Sequence, residues 1–233
     1  MKAPRFFFGF VILVWATGIG MGMSGQKKKK PAKAPIPIYV TPYYDSEGIK
    51  IDVGKFSQTL AKADSKSILG VIAEMQKQRE KLRAEVAYVA AIRLYDLGHK
   101  DEAVYWFYTA QYRAGVFRSI LDRQKMGGIG APAFELRQAY AAFNQLAGEY
   151  INGYAFGELD KLEKTLAKVR EEGKAIPKYT VLYPRVKFID SKTWQETNAK
   201  YADGNITGMI QYIRKNAALI KELRKKNGLD GKY

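Results

Sequence analysis

The sequence contains no cysteine and a single histidine, His99. Without cysteine the chain can form no disulfide, no thiolate nucleophile and no cysteine-ligated metal site. His99 lies in the polar turn "DLGHKDE", and an isolated imidazole in such a turn is typical of a solvated side chain, because metal sites need several ligands. The sequence therefore predicts no metal site and no cofactor.

The same scarcity limits the catalytic chemistry that the chain can support. The usual pairs of nucleophile and base need a histidine or an activated cysteine. Paired carboxylates also cleave glycosidic bonds, and Glu135, Glu149 and Glu158 fall in or near a glycine-punctuated region. None of the three stands in a recognisable motif. The sequence therefore favours a protein without enzymatic activity over a carboxylate-dependent wall hydrolase.

A long apolar run occupies residues 6–23, after Lys2 and Arg5. A basic start, an apolar run and small residues near its end predict a signal peptide over residues 1–25. The alternative is an uncleaved anchor, since a membrane-spanning helix needs about 20 residues. Residues 26–37 have the Lys/Pro composition of a linker, and their lysines oppose export under the positive-inside rule. We expect a periplasmic or secreted protein, with an inner-membrane anchor as the alternative.

Positive charge exceeds negative charge along the chain. The sequence has 39 Lys and Arg against 23 Asp and Glu, a net charge of +16. Seven of the basic residues and none of the acids fall in residues 1–33, so the remainder carries about +9. Such a surface suits anionic lipid head groups, wall polymers or an acidic protein. No nucleic-acid recognition motif is present, so we expect no nucleic-acid partner.

Residues 38–233 are predicted to form a single, mostly helical domain. At 47% hydrophobic and 13% aromatic the chain can bury a sizeable core. Two β-branched and aromatic stretches, 37–44 and 48–54, flank the turn "DSEG" and predict a short β-hairpin, with Pro42 favouring an edge strand. Helical patterns follow, and an irregular C-terminal segment interrupts them. The fold class is mainly α, a helical-hairpin bundle with a short N-terminal β-hairpin.

The clearest helical signal lies between about residues 101 and 124. Apolar side chains recur there at spacings of four and three, which places them on one face of a helix. The members of this face are Ala103, Phe107, Ala110, Ala114, Phe117 and Leu121. The preceding helix, "AEVAYVAAIRLYDLG", ends at Gly98, in the position of a C-terminal capping glycine. The two segments together predict a helical hairpin.

This hairpin resembles a tetratricopeptide or Sel1-like repeat, a helix–turn–helix unit of about 34 residues. The packing positions of such a repeat are matched by Ala91, Leu94, Gly98, Ala103, Phe107 and Ala110. Two positions depart from the pattern, because Ala87 replaces an aromatic residue and Gly115 replaces a proline. One repeat cannot bury its own apolar face, so the flanking helices must complete the core. The alternative is an ordinary helical hairpin with coincidental spacing.

Two groups of residues are candidates for contacts with a partner. The first is an aromatic and basic face beside the apolar stripe, made of Tyr105, Trp106, Tyr108, Tyr112 and Arg113. These residue types dominate the energetics of protein interfaces, although packing on neighbouring helices is the alternative. The second is the loop "GGI", formed by Gly127, Gly128 and Ile129. Its glycines lack the Gly-Lys-Ser/Thr that would make a phosphate-binding loop.

The chain is similar in overall style to the immunity proteins that protect bacteria from periplasm-acting toxins of type VI secretion systems. The shared features are a small exported chain, the absence of a catalytic set and a repeat-like hairpin. The resemblance implies a non-catalytic protein that binds a secreted toxin and blocks its active site. The alternative is a membrane-anchored envelope protein that binds cell wall or anionic lipid through its basic surface.

Overall fold

Three short strands open the part of the chain that the computed structural model describes, residues 36–233. They are β1 (Tyr39–Val40), β2 (Tyr44–Asp45) and β3 (Lys50–Ile51), and they form an antiparallel sheet in that order. The sequence predicted two longer strands. The first of these is divided at Pro42, which lies in the turn between β1 and β2 and has no N–H to donate to a ladder. The predicted hairpin turn corresponds to the connection between β2 and β3.

The folded unit reaches back into the segment that was predicted to be a linker. Ile36 is buried, and its backbone N–H donates a hydrogen bond of 2.9 Å to the Oδ1 atom of Asp96. Asp96 in turn contacts the guanidinium of Arg93 at 3.3 Å. Ile36, within the predicted linker, therefore packs with the folded unit. The predicted signal peptide and the rest of the predicted linker lie outside the described residues.

Helices make up most of the rest, which confirms the mainly α fold class with its short N-terminal sheet. Their bounds are α1 Ser57–Leu60, α2 Ser65–Lys77, α3 Ala84–Asp96, α4 Lys100–Ile120, α5 Pro132–Ala155, α6 Leu159–Glu172, α7 Tyr179–Leu182, α8 Trp194–Tyr201 and α9 Gly208–Lys226. Two helix starts carry features typical of N-termini: the Asp64 carboxylate caps α2 by accepting from Ser67 N–H, and Pro132 occupies the first turn of α5.

The hairpin of α3 and α4 turns at Gly98, as the sequence predicted. Gly98 has a φ of 86°, and its N–H donates to the carbonyl of Tyr95. The next N–H, that of His99, donates to the carbonyl of Leu94. These two bonds form a Schellman motif, which satisfies carbonyls that the end of α3 leaves unpaired.

The predicted stripe of α4 lies in the core. Its six members, from Ala103 to Leu121, are all buried. Phe107 meets Tyr88 of α3 edge to face with ring centroids 5.8 Å apart, and Tyr88 stacks on Phe143 of α5 at 4.9 Å. The stripe is therefore covered by aromatic side chains from both neighbouring helices, and such pairs contribute beyond the area they bury.

Gly115, which stands where a repeat would carry a proline, is a point of close approach between helices. A Cβ atom at this position would lie 1.9 Å from the Oη atom of Tyr201 in α8. The Tyr201 ring also meets that of Tyr112 edge to face at 5.6 Å. A residue with a side chain at 115 would displace Tyr201, so the departure from the repeat pattern has a packing reason.

The segment between α6 and α8 is irregular apart from short α7, as predicted, but the chain end is more ordered than its composition suggests. A π-helical turn, Ala202–Thr207, joins α8 to α9. Arg224 near the end of α9 is buried and donates to the carbonyl of Gly153 at 2.7 Å. The basic composition from residue 221 onward is typical of a frayed tail, but the Arg224 guanidinium attaches this segment to α5.

Candidate functional site

The predicted aromatic and basic face of α4 is internal. Trp106, Tyr108, Tyr112 and Arg113 are buried, and Tyr105 is half-buried. The cause is that α4 contacts α3, α5, α6 and α8, so helices cover more than one of its sides. The alternative interpretation, packing against neighbouring helices, is confirmed for these four side chains. The prediction that these four side chains contact a partner is therefore wrong, and they are core residues.

The polar atoms of this face have partners inside the fold. The Tyr108 hydroxyl donates to Asn152 at 2.9 Å, and the Tyr112 hydroxyl donates to Asn198 at 2.8 Å. Burial is the main cause that raises the pKa of Tyr112 to about 12. As neutral hydrogen-bond donors, Tyr108 therefore joins α4 to α5 and Tyr112 joins α4 to α8.

Arg113 is a buried cation whose hydrogen bond goes to the backbone. Its Nη1 atom donates to the carbonyl of Leu82 at 2.7 Å, and burial lowers its pKa. Beside it lies a cavity of about 20 Å³ that the hydroxyl of Thr109 also lines. Such a cavity has room for about one water molecule, so it is not a substrate cleft. Arg113 connects the start of α3 to α4.

Tyr105 is the member of the face nearest to the surface. Its hydroxyl lies 2.6 Å from the carboxylate of Glu172 and 3.0 Å from the side chain of Gln76. Glu172 also forms a salt bridge of 2.7 Å with Arg79, and the Lys168 ammonium lies 4.4 Å from the centroid of the Tyr105 ring. These contacts connect α2, α4 and α6, which leaves Tyr105 with structural partners.

The glycine loop, residues 127–130, is exposed to solvent, in contrast to the aromatic and basic face of α4. Ile129 at its tip is 92% exposed, the highest value among the large apolar side chains of residues 36–233. Gly127 and Gly130 have φ values of 75° and 83°, which glycine adopts readily and residues with a Cβ do not. A Cβ on Gly127 would also lie 2.6 Å from that of Ala131. The backbone of the loop therefore requires these two glycines.

Hydrogen bonds fix this loop to the start of α5. The N–H of Gly130 donates to the carboxylate of Glu135 at 2.8 Å, and the N–H of Ala131 donates to the carbonyl of Gly128 at 3.0 Å. These bonds constrain the loop from Gly128 to the start of α5, while the Ile129 side chain is exposed to solvent. An exposed apolar side chain on a constrained turn is a suitable anchor for an interface.

Exposed cations flank the glycine loop, beside the Glu135 carboxylate that the loop binds. Arg123 and Arg137 are exposed, and no salt bridge in the described part of the chain engages either guanidinium. Lys187 is brought to the same region because its carbonyl accepts a hydrogen bond from Asp122 N–H. Leu121 and Phe188 form a β-bridge at that point. Lys187 thus lies next to Asp122 and the neighbouring Arg123, a proximity that sequence spacing alone does not reveal.

The three glutamates of the wall-hydrolase alternative occupy different surroundings. Glu135 accepts the hydrogen bond of the glycine loop, and Glu149 lies 3.4 Å from the hydroxyl of Tyr233. Glu158 precedes α6 and lines an open groove of about 230 Å³ with Asp101. Asp101 is held by Tyr154 and Lys161, and these contacts lower its pKa, with the Tyr154 hydrogen bond as the main cause.

A buried carboxyl group that the sequence did not single out lies at the start of α3. Glu85 is fully buried, and its Oε2 atom accepts hydrogen bonds from Tyr140 at 3.2 Å and from Tyr183 at 3.1 Å. Its Oε1 atom is 3.3 Å from Nε of Arg83. Burial raises the pKa of Glu85, although Arg83 and the two hydroxyls act in the opposite direction. The signal in the sequence was an acid inside the apolar run "AEVAYVAAI".

Glu85 leads to a prediction on pH dependence. A pKa that is raised by folding contributes stability that is fully present below the unfolded value of about 4.3 and is lost as the pH rises through the folded value. Glutamine does not titrate, so Glu85→Gln removes this loss of stability with rising pH. The free energy of unfolding of the variant should therefore improve relative to wild type between about pH 4 and pH 8, by about 1.4 kcal/mol for each unit of the shift. Urea unfolding at both pH values measures this difference, with Glu222→Gln as the exposed control, and a constant difference would contradict it.

Neither a metal centre nor a membrane-spanning helix is found over residues 36–233. No cluster of three or more His, Asp or Glu side chains within this range has the arrangement to hold a metal ion. No helix of this range is long and apolar enough to cross a bilayer. The apolar run of residues 6–23 lies outside the described residues.

The chain is similar to an uncharacterized protein of Haemophilus influenzae. The two are 27% identical over 172 residues, which cover 71% of this chain and 64% of the relative. The chain thus spans about 64% of the length of the curated relative it matches. No family model and no solved structure matches the sequence. The fold and the surface together define a mainly helical protein with a short N-terminal sheet and a constrained, exposed glycine loop.

Proposed function

We propose that the protein is an exported, non-catalytic protein that binds another protein through its glycine loop. The observation that carries this proposal is the 92% exposure of Ile129 at the tip of a constrained turn. Covering an exposed isoleucine removes apolar area from water and stabilises a complex by about 1.5–3 kcal/mol. The loop is already ordered, so little conformational entropy is lost when a partner covers it.

The charge around the loop indicates the chemistry of the partner. Arg123 and Arg137 are exposed cations on either side of the loop in the sequence, and Lys187 is exposed next to Asp122. A cleft with carboxylates at its centre would complement this arrangement, because opposite potentials increase both the rate and the specificity of association. Enzymes that cleave glycosidic bonds carry such paired carboxylates. We infer that the loop enters an acidic cleft and excludes substrate from it.

The partner class follows from the resemblance to immunity proteins. A secreted toxin that acts in the periplasm has an active-site cleft that a constrained loop can fill. The role of α4 in this proposal differs from the sequence-based hypothesis. Trp106 and Arg113 hold the helices together, and substitutions there would report on folding rather than on contacts.

A capture experiment tests the proposal. The full-length protein is immobilised and exposed to envelope and secreted fractions at low and at moderate salt, beside an Ile129→Asp variant and a Leu219→Asp variant. We expect one stoichiometric protein to bind the wild type and the Leu219 variant, to survive moderate salt and to be absent from the Ile129 variant. Equal capture of that protein by all three, or the absence of any stoichiometric protein at moderate salt, would contradict it.

A further inference from the structure

The outer side of α9 carries an apolar stripe made of Tyr212, Leu219 and Leu223. These three side chains are 56%, 47% and 45% exposed. Leu219 and Leu223 are four residues apart and share one side of the C-terminal part of α9, while Tyr212 lies on the other side of a kink at Asn216, whose φ and ψ are −114° and 15°. The remaining exposed large apolar residues of the described chain, such as Ile129 and Val181, belong to separate elements. The α9 stripe is therefore a concentration of exposed apolar surface on one helix.

The stripe is distinct from the side of α9 that the fold uses. Ile213 and Arg224 are buried, and Ile220 is half-buried against the core. Arg214 forms a salt bridge with Glu163 of α6, which fixes the helix to its neighbour. With the inner side occupied in this way, the α9 stripe makes no contribution to the core.

Cations dominate the outer surface of the same helix. Lys226 follows Leu223 by three residues and therefore lies beside it, and Lys215 is exposed at the kink between Tyr212 and Leu219. Lys221 and Lys225 are exposed further around the helix. Across residues 36–233 no salt bridge engages any of these four ammonium groups.

We propose that α9 lies on the surface of an anionic phospholipid bilayer, with Tyr212, Leu219 and Leu223 among the head groups. A helix with a basic polar side and a narrow apolar side is the type that lies in the interface plane. Tyrosine favours this depth because its ring is apolar and its hydroxyl stays hydrated. The four lysines supply charge complementarity to anionic head groups, which an uncharged apolar partner would not provide.

The composition of the surface sets the expected strength of binding. Three half-exposed apolar side chains are too few for a stable insertion, and lysines add an attraction that salt screens. Binding should therefore be reversible, depend on anionic lipid and weaken as the salt concentration rises. The glycine loop takes no part in it, so this inference is independent of the proposed function.

The absence of cysteine from the chain allows a direct test. A single cysteine is introduced into the full-length protein at Leu223 and labelled with an environment-sensitive fluorophore. Ile129→Cys with the same label is the matched control on another exposed apolar position. Vesicles contain phosphatidylglycerol and phosphatidylethanolamine, or phosphatidylcholine alone. Because the label reports on its own position, membrane attachment elsewhere in the chain does not produce the signal.

We expect a blue shift at position 223 with the anionic vesicles, no shift with phosphatidylcholine and no shift at position 129. Lys215→Glu with Lys226→Glu should raise the half-saturating lipid concentration at least about tenfold. The control pair, Lys66→Glu with Lys77→Glu on α2, changes the net charge by the same amount. It should raise the half-saturating lipid concentration much less. Equal shifts at both labels, equal shifts on neutral vesicles, or equal effects of the two charge reversals would overturn the proposal. A shift that depends on protein concentration without lipid would assign the stripe to a second copy of the chain.

Discussion

Replacing Ile129 with aspartate is expected to weaken binding of the captured partner at least about 100-fold, or about 2.7 kcal/mol. The substitution removes the apolar area that the partner covers, and it places a carboxylate where the proposed cleft is already acidic. Isothermal titration or surface plasmon resonance with the purified partner measures the loss. The free protein should keep its stability within about 0.5 kcal/mol, because the side chain touches little of the fold.

Two further variants make this prediction specific. Ile129→Leu preserves apolar volume and should stay within about tenfold of wild type. Leu219→Asp introduces the same charge at another exposed apolar position, on α9, and should bind the partner normally. If Ile129→Asp binds as tightly as Leu219→Asp, the glycine loop is not the contact surface.

Replacing Phe117 with alanine is expected to lower the free energy of unfolding by about 3–5 kcal/mol. Phe117 is fully buried and meets four rings: Tyr140 at 5.6 Å, Tyr179 at 6.2 Å, Tyr183 at 5.0 Å and Phe188 at 5.6 Å between centroids. The substitution leaves a cavity between α4, α5 and the segment that follows α6, and it removes those aromatic contacts. Since domains of this size are stable by about 5–15 kcal/mol, a large part of the stability is lost.

Urea unfolding followed by circular dichroism measures this effect. Phe117→Leu keeps most of the volume and should lose less than the alanine variant, while Val181→Ala, at an exposed position, should change stability by about 0.5 kcal/mol or less. A loss below about 1 kcal/mol for Phe117→Ala would show that the aromatic cluster does not hold these elements together.

The local parts of the fold could be predicted because their causes are local. The spacing of Phe107, Phe117 and the alanines between them defines one face of α4, and a glycine at 98 suits the left-handed end of α3. The glycine loop was visible for the same reason, since clustered glycines with a following Pro132 indicate a turn before a helix.

The parts that escaped prediction depend on residues far apart in sequence. Whether Trp106 and Tyr112 were exposed depended on where α6 and α8 lie, and periodicity within α4 carries no information on that. Glu85 meets hydroxyls that are 55 and 98 residues away, on Tyr140 and Tyr183. A buried carboxyl group is tolerated only with such partners, so its role became apparent once the tertiary contacts were known.

Site-specific photo-crosslinking in living cells tests the central claim most directly. A photoreactive amino acid replaces Ile129 in one full-length protein and Leu219 in another, and the cells are irradiated while they produce the partner. The account predicts one discrete protein adduct from position 129, containing the protein that the immobilised chain captures, and no such adduct from position 219. An adduct of that protein from position 219, with none from position 129, would contradict binding through the glycine loop.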